Sequence, residues 1–286
     1  IGQDQIERMG FDPKGALYKA AGNVLLSRSS TGVFQKLEPD GPPDYTDYNQ
    51  LANGIVETAT VANRRIAAYD MLDIPEVINY LAGARWNAEN DDVWANMSLY
   101  RDTYGDQLWR IIPFDMNASW GQRYGGITPL DAITDTCKSH PLYGGATTIA
   151  CDGGSYNRIY DTIIALPETR QMLLRRQRTV LDRWVMEPGV APESRLLETH
   201  IRYMTNLIWT EAFLDRAKWG YSTWTASNKP LTNAITELFN EFINLRRIHF
   251  NGTHSVTNVA KPIGITPTSN AGIPLSQPPN IYLAIV

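Results

Sequence analysis

No run in this chain stays apolar over the ~18–20 residues that a helix needs to cross a bilayer. The opening residues, IGQDQIERMG, also lack the basic, then apolar, then small-residue order of an export signal. The expectation is a chain with no membrane insertion and, because it lacks an initiator Met, an amino terminus that was cut or processed. Basic residues are too few for a nucleic-acid reader. The 26 Lys and Arg stand against 30 Asp and Glu, so no broad positive field faces a phosphate backbone and no nucleic-acid partner is expected. Cysteine is nearly absent. Its two copies, Cys137 and Cys151, fall in one Gly-, Thr- and Pro-rich stretch, close enough in sequence to close a short ring. A disulfide there would contribute roughly 3 kcal/mol on the loop-entropy account and would suit an exported protein; two unlinked thiols are the other reading. Histidine is also sparse. His140, His200, His249 and His254 show no i, i+3 or i, i+4 pairing and no Cys at zinc-ligand spacing, so no structural zinc site is expected. His140, beside Pro141, reads as a loop hydrogen-bonder. A Gly-x-Ser-x-Gly elbow is missing, which disfavours a serine hydrolase.

What is present is apolar and aromatic enough to fold. Hydrophobic residues make up 43% of the 286, with eight Trp and fourteen Tyr, well outside the composition of a disordered chain. Residues 44–70 carry apolar residues at helical spacing, and Asp73 with Pro75 opens a further helix through VINYLAGARW. Residues 97–116 change character: MSLYRD, a Gly-containing turn and LWRIIPFDM read as a β-hairpin. Residues 121–157 read as a long irregular insert. Helices resume over 157–185, 191–218 and 229–249, and beyond Asn251 the chain becomes a Pro-, Gly-, Ser- and Thr-rich linker ending in the apolar IYLAIV. The fold class is therefore α+β, predominantly helical, with a small hairpin.

That hairpin organises the chemistry. Asp91 and Asp92 stand just before its first strand, Asn96 opens that strand, and Asp115 follows the second. Pairing MSLY with WRII sets the strand ends side by side, so Asp91, Asn96 and Asp115 can face one small volume. An Asp, four residues, an Asn, a hairpin and an Asp is how kinase-type sites hold Mg²⁺ and orient a hydroxyl. Phosphoryl transfer needs hard oxygen ligands for the metal and a carboxylate near the attacking group. Asp and Asn are also ordinary residues of turns and helix ends, and that reading stays open. Four arginines, Arg170, Arg175, Arg176 and Arg178, read as a solvated face paired with Glu168 and Asp182. Trp209, Trp219, Tyr221 and Trp224 read as core packing, with stacking on sugar rings as the alternative.

Several segments in order, GALYKA at 15–20, FQKLEPDG at 34–41, NDDVWANMSLYRD at 90–102, IIPFDMNASWG at 111–121, SHPLYGG at 139–145 and RQMLLRRQRTVLDRWV at 170–185, resemble the spore-coat CotH-type atypical protein kinases. The resemblance runs over about residues 1–250. It implies a kinase-like C-terminal lobe that uses ATP and Mg²⁺ or Mn²⁺ to phosphorylate Ser or Thr, with a secreted protein or an extracellular polymer as partner. It also implies a bacterial protein that is secreted or at the cell surface. By matching position Asp91 would be the catalytic-loop carboxylate with Asp92 as its neighbouring candidate, Asn96 a metal-side amide and Asp115 the metal-binding carboxylate. Asn117 stands where the family commonly has a second Asp, a neutral ligand in place of a charged one. Lys19 is the candidate for a phosphate contact. The family's N-terminal strands would precede residue 1, so the expectation is a kinase-like domain over 1–250 lacking most of the upper lobe and turning over ATP poorly, followed at 251–286 by a linker or the start of another domain. Two further readings remain: a secreted hydrolase of glycans or esters using the acidic cluster, and a non-catalytic surface module.

Overall fold

The computed structural model describes residues 2–20, 34–39, 44–89, 92–93, 96–122, 131–135, 138–144, 157–220 and 229–254. Its centre is an antiparallel four-stranded sheet in the order β2-β1-β3-β4, formed by Ala16–Ala20 (β1), Phe34–Glu38 (β2), Met97–Arg101 (β3) and Trp109–Pro113 (β4). The expected hairpin is β3–β4, in a register that sets Met97 opposite Pro113 and Arg101 opposite Trp109. The sequence reading had not assigned β1 and β2 as strands; β1 pairs along the other edge of β3, with Lys19 opposite Ser98.

Alternation along the strands separates two faces. Ala16, Tyr18, Met97, Leu99, Trp109 and Ile111 point into the main helical core, where each is at most 3% exposed. Leu17, Tyr100 and Ile112 point the other way, beneath Ile6 of α1 (Gln3–Arg8) and Phe11. Burying such side chains contributes about 1.5–3 kcal/mol each, and both faces use it. The sheet is therefore fixed from two sides.

Helices α2 (Thr46–Gly54) and α3 (Val61–Met71) divide the segment 44–70, where apolar residues stand at helical spacing. The break has a capping cause: Thr60 accepts a hydrogen bond from the Asn63 amide and starts α3 anew. α4 (Ile74–Asn87) begins as its sequence foretold. Asp73 caps it by accepting from the Glu76 amide at 3.2 Å, and Pro75 lies in the first turn. The Asp73 amide donates to the Trp109 carbonyl at 3.0 Å, which ties the start of α4 to β4. The remaining helices are α5 (Arg158–Ala165), α6 (Pro167–Val180), α7 (Leu196–Trp219), α8 (Leu231–Glu237) and α9 (Asn244–Gly252). α6 continues as a π-helical turn over Leu181–Val185, and a second π-helical stretch, Leu238–Ile243, joins α8 to α9.

The far end of α4 is held by buried charge. The Arg85 guanidinium, wholly enclosed, binds both carboxylate oxygens of Asp92 at 2.6 and 2.5 Å and the Tyr143 carbonyl at 3.2 Å. Burial works against the Arg85 charge, but the adjacent Asp92 carboxylate more than offsets it and raises the guanidinium above its ordinary pKa. From α9, fully buried Arg246 donates to the backbone carbonyls of Arg85, Trp86, Ala132 and Ser139.

Removing one member of an enclosed pair leaves the other charge uncompensated. Arg85→Ala and Asp92→Ala should each cost about 3–5 kcal/mol in denaturant unfolding, with the double variant losing less than the sum. A second outcome concerns the α4 start. Arg110 there meets three carboxylates, Asp73 and Glu76 at 3.1 Å and Asp106 at 2.5 Å. One guanidinium does not satisfy all three; burial, then the nearby Asp73 charge, pushes Glu76 up to about 7 from its ordinary 4.5. The folded state thus holds this proton more tightly than the unfolded one. The resulting stability is fully present below about pH 4.5 and is lost as pH rises through 7. Glu76→Gln should flatten that slope in pH-dependent unfolding curves.

Candidate active site

The site lies at the open end of the β3–β4 hairpin. With Met97 opposite Pro113, the residues just beyond the pair are Asn96 on one side and Phe114 and Asp115 on the other. Both Asn96 and Asp115 have φ of +53°, in the left-handed region that Asn and Asp enter more readily than most L-residues. The two are linked directly: Asn96 Nδ2 donates to the Asp115 carbonyl at 3.4 Å. With Nδ2 so engaged, Oδ1 is the atom with which Asn96 would meet a cation.

The segment after β4 alternates in and out. Asp115 and Asn117 are exposed, while Met116 between them turns inward, its sulfur 3.8 Å from the Tyr80 hydroxyl. Ser119 Oγ closes the turn by donating to the Met116 carbonyl at 2.9 Å, and the Trp120 amide donates to the Asn87 carbonyl at 2.6 Å, at the end of α4. Trp120 stacks edge-on against Phe242 from the π-helical stretch before α9. Gly121 follows with φ +76°, where an added Cβ would lie 2.6 Å from the Phe242 ring and 2.9 Å from the Asp131 amide nitrogen. Two oxygen-bearing side chains, Asp115 and Asn117, are thus presented to solvent from a loop anchored on both sides.

Lys19 is at the edge of this site. It projects from β1 with its ammonium 4.5 Å from the centroid of the Phe114 ring, next to Asp115. Asp92 occupies a different place from the one its sequence position suggested. It is fully buried, both its oxygens are taken by Arg85, and the Tyr80 hydroxyl lies 3.4 Å away. A carboxylate so enclosed is not open to a substrate, and its described partners are Arg85 and Tyr80. Asp91 lies outside the described residues, as do Cys137 and Cys151.

The expected pairing of Arg178 with Asp182 forms, with Glu187 as a second partner, although Arg178 is buried rather than solvated, and Glu168 pairs with Arg65 of α3 instead of with the arginine run. The expected tryptophan core does not form at its described members: Trp209 and Trp219 on α7 are 44% and 70% exposed, because α7 buries little of its length. Tyr221 and Trp224 lie outside the described residues. The sequence reading missed Arg85, Arg246 and Tyr143 as the groups that hold the site's scaffold. An Arg in an otherwise apolar helical stripe was the available signal, since Arg85 falls among Ile78, Leu81, Ala82 and Trp86 on α4.

A protein-family model described as CotH kinase protein matches residues 1–248. The chain belongs to the CotH kinase family. Comparison with curated proteins returns no match. As a member of that family the chain is kinase-like, and the predominantly helical α+β architecture around a small antiparallel sheet agrees with that membership. The matched span takes in the hairpin, Asn96, Asp115 and Asn117, and reaches into α9.

The anchor at Gly121 gives a direct check. Gly121→Ala combines a left-handed φ with contact against a packed ring and a backbone nitrogen. It should cost about 1–3 kcal/mol in chemical denaturation and should displace the Asp115–Asn117 loop, seen as altered amide shifts around Met116.

Proposed function

We propose that this chain transfers the γ-phosphoryl group of ATP to a Ser or Thr hydroxyl of a protein. The observation that carries this reading is the linked pair Asn96 and Asp115, both in left-handed conformation at the mouth of the hairpin, within a chain matched to a kinase family over residues 1–248. The donor set fits a hard divalent cation, Mg²⁺ or Mn²⁺: one exposed carboxylate, Asp115, with the amide oxygens of Asn96 and Asn117, all oxygen ligands. When bound, such an ion supplies charge neutralisation at the phosphates.

The chain's own residues would do the rest. Asp115 and Asn96 would hold the ion against the phosphates, and the rigid loop anchored by Met116 and Trp120 would keep Asp115 from moving with it. Lys19, beside Phe114, is placed to approach a phosphate oxygen from the β1 side. Asp91, by its family position, would accept the proton from the attacking hydroxyl. The resemblance to exported kinases supports a substrate that is itself a secreted or surface protein, and a bacterial source. A hydrolase using paired acidic groups is less well supported, because Asp92, the other described member of the acidic cluster read from the sequence, is locked to Arg85.

With Asn117 in place of a second carboxylate, the site carries one formal negative charge fewer, so metal affinity should be weak and improvable. Asn117→Asp is expected to tighten Mn²⁺ binding, measured by water-proton relaxation with ATP present, by about tenfold, equal to roughly 1.4 kcal/mol. Asp115→Asn should abolish the relaxation signal and lower phosphate transfer from labelled ATP by at least about a hundredfold, or roughly 2.7 kcal/mol of barrier. Unchanged Mn²⁺·ATP binding and transfer in Asp115→Asn would refute the reading.

A further inference from the structure

Four side chains that the phosphoryl-transfer site does not use converge elsewhere in the fold. Asp135 and His140 come from the insert after the hairpin, His249 from the last turn of α9, and His254 from just beyond that helix. His249 Nε2 and His254 Nε2 each lie 2.8 Å from the same oxygen, Asp135 Oδ1, and 2.9 Å from each other. The three atoms form a nearly equilateral triangle. The imidazoles are about nine-tenths buried, whereas Asp135 is 41% exposed, leaving a path from solvent.

Proton counting shows that this triangle is not satisfied by hydrogen bonds. Each Nε2 carries at most one hydrogen and an ionised carboxylate oxygen carries none, so at most two of the three contacts can be hydrogen bonds. If both rings donate to Asp135, two N–H groups face each other at 2.9 Å. If one ring donates to the other, the second ring turns a lone pair on the carboxylate. A single cation at the centre replaces every such repulsion with an attraction, because all three atoms then point lone pairs at it.

We propose that Asp135, His249 and His254 ligate a first-row transition-metal ion, with Zn²⁺ the best match to two imidazoles and a carboxylate. Bond lengths of about 2.0–2.1 Å with tetrahedral angles need donor separations of about 3.3 Å, so the triangle would open by roughly half an ångström. That is within rotamer adjustment at the end of a helix. The mixed nitrogen and oxygen set separates this site from the all-oxygen set around Asp115, which suits Mg²⁺.

His140 has its own place. A ligand atom of His140 lies within 4.8 Å of those of Asp135 and His254, and its Nδ1 accepts from the Leu142 amide at 3.0 Å. With Nδ1 an acceptor, the neutral ring holds its hydrogen on Nε2. His140 is therefore suited to donate to a water on the fourth coordination position rather than to fill it. Arg246 is a like charge nearby, offset by Asp131 and Asp135 and bound to four backbone carbonyls. The ion would clamp the end of α9 to the insert that follows the active-site loop.

The test uses the whole chain, stripped with chelator and titrated with Zn²⁺ alone, then with Co²⁺ as a spectroscopic probe. Expected are one equivalent of zinc by elemental analysis, the visible absorption of tetrahedral Co²⁺, and thermal unfolding that shifts upward with zinc concentration. His254→Ala and Asp135→Asn should each weaken zinc binding at least a hundredfold, whereas Asp115→Asn and the exposed His200→Ala should bind as the parent does. Should Asp135→Asn fail to fold, His254→Gln provides the same comparison. The proposal is overturned if the folded parent takes up no stoichiometric zinc, or if its affinity survives both His254→Ala and Asp135→Asn.

Discussion

The buried pair between Arg85 and Asp92 is the constraint from which the rest of the region around the candidate site follows. A guanidinium and a carboxylate removed from water are tolerable only together, so the last turn of α4 and the start of the loop leading to β3 occupy one relative position. Arg85 spends a further hydrogen bond on the Tyr143 carbonyl, bringing the insert to the same point. Arg246 then reaches the carbonyls of Arg85 and Trp86 from α9. Four separate stretches of chain therefore meet at the C-terminal end of one helix, and the helix itself is tied to β4 at its other end by the Asp73 amide.

This arrangement explains how an exposed loop can present Asp115 in a defined place. Loop atoms on a surface usually trade position for mobility. Here the segment after Asp115 is fastened at several points: Met116 against Tyr80, Trp120 to the Asn87 carbonyl and the Phe242 ring, and Gly121 to the Asp131 amide. Tyr80 also faces Asp92, so the loop and the buried pair share a neighbour. The exposed Asp115 and the buried Arg85 are thus parts of one packed unit. The histidine and Asp135 cluster lies beyond it, where α9 meets the insert, and a bound ion there would reinforce the same junction that Arg246 makes with backbone carbonyls.

Much of this was legible in the chain itself. Alternating apolar residues in MSLYR and WRIIP, with a Gly turn between, foretold the hairpin, and the Asp73 cap with Pro75 foretold α4, because both signals are local. The order of Asn96 and Asp115 around that hairpin marked the candidate site for the same reason. Tertiary contacts decided what local signals leave open. Asp91 and Asp92 are indistinguishable as neighbouring letters, but the position of Arg85 seven residues earlier buries Asp92. Trp209 and Trp219 resemble core residues by composition, yet α7 leaves them on the surface.

The histidines show the division most clearly. No helical spacing joins His249 to His254, five residues apart, and the expectation of no structural zinc site followed from that. The helix ends at Gly252, however, and the chain folds His254 back onto the same carboxylate that His249 meets, supplied by Asp135 more than a hundred residues earlier. The sequence by itself determined the family, the helical α+β character and the hairpin-borne Asn96 and Asp115, since each rests on periodicity or order along the chain. Which acid is buried, and which histidines converge, was decided by tertiary structure, because charge burial and side-chain convergence depend on elements that are distant in sequence and adjacent only in space.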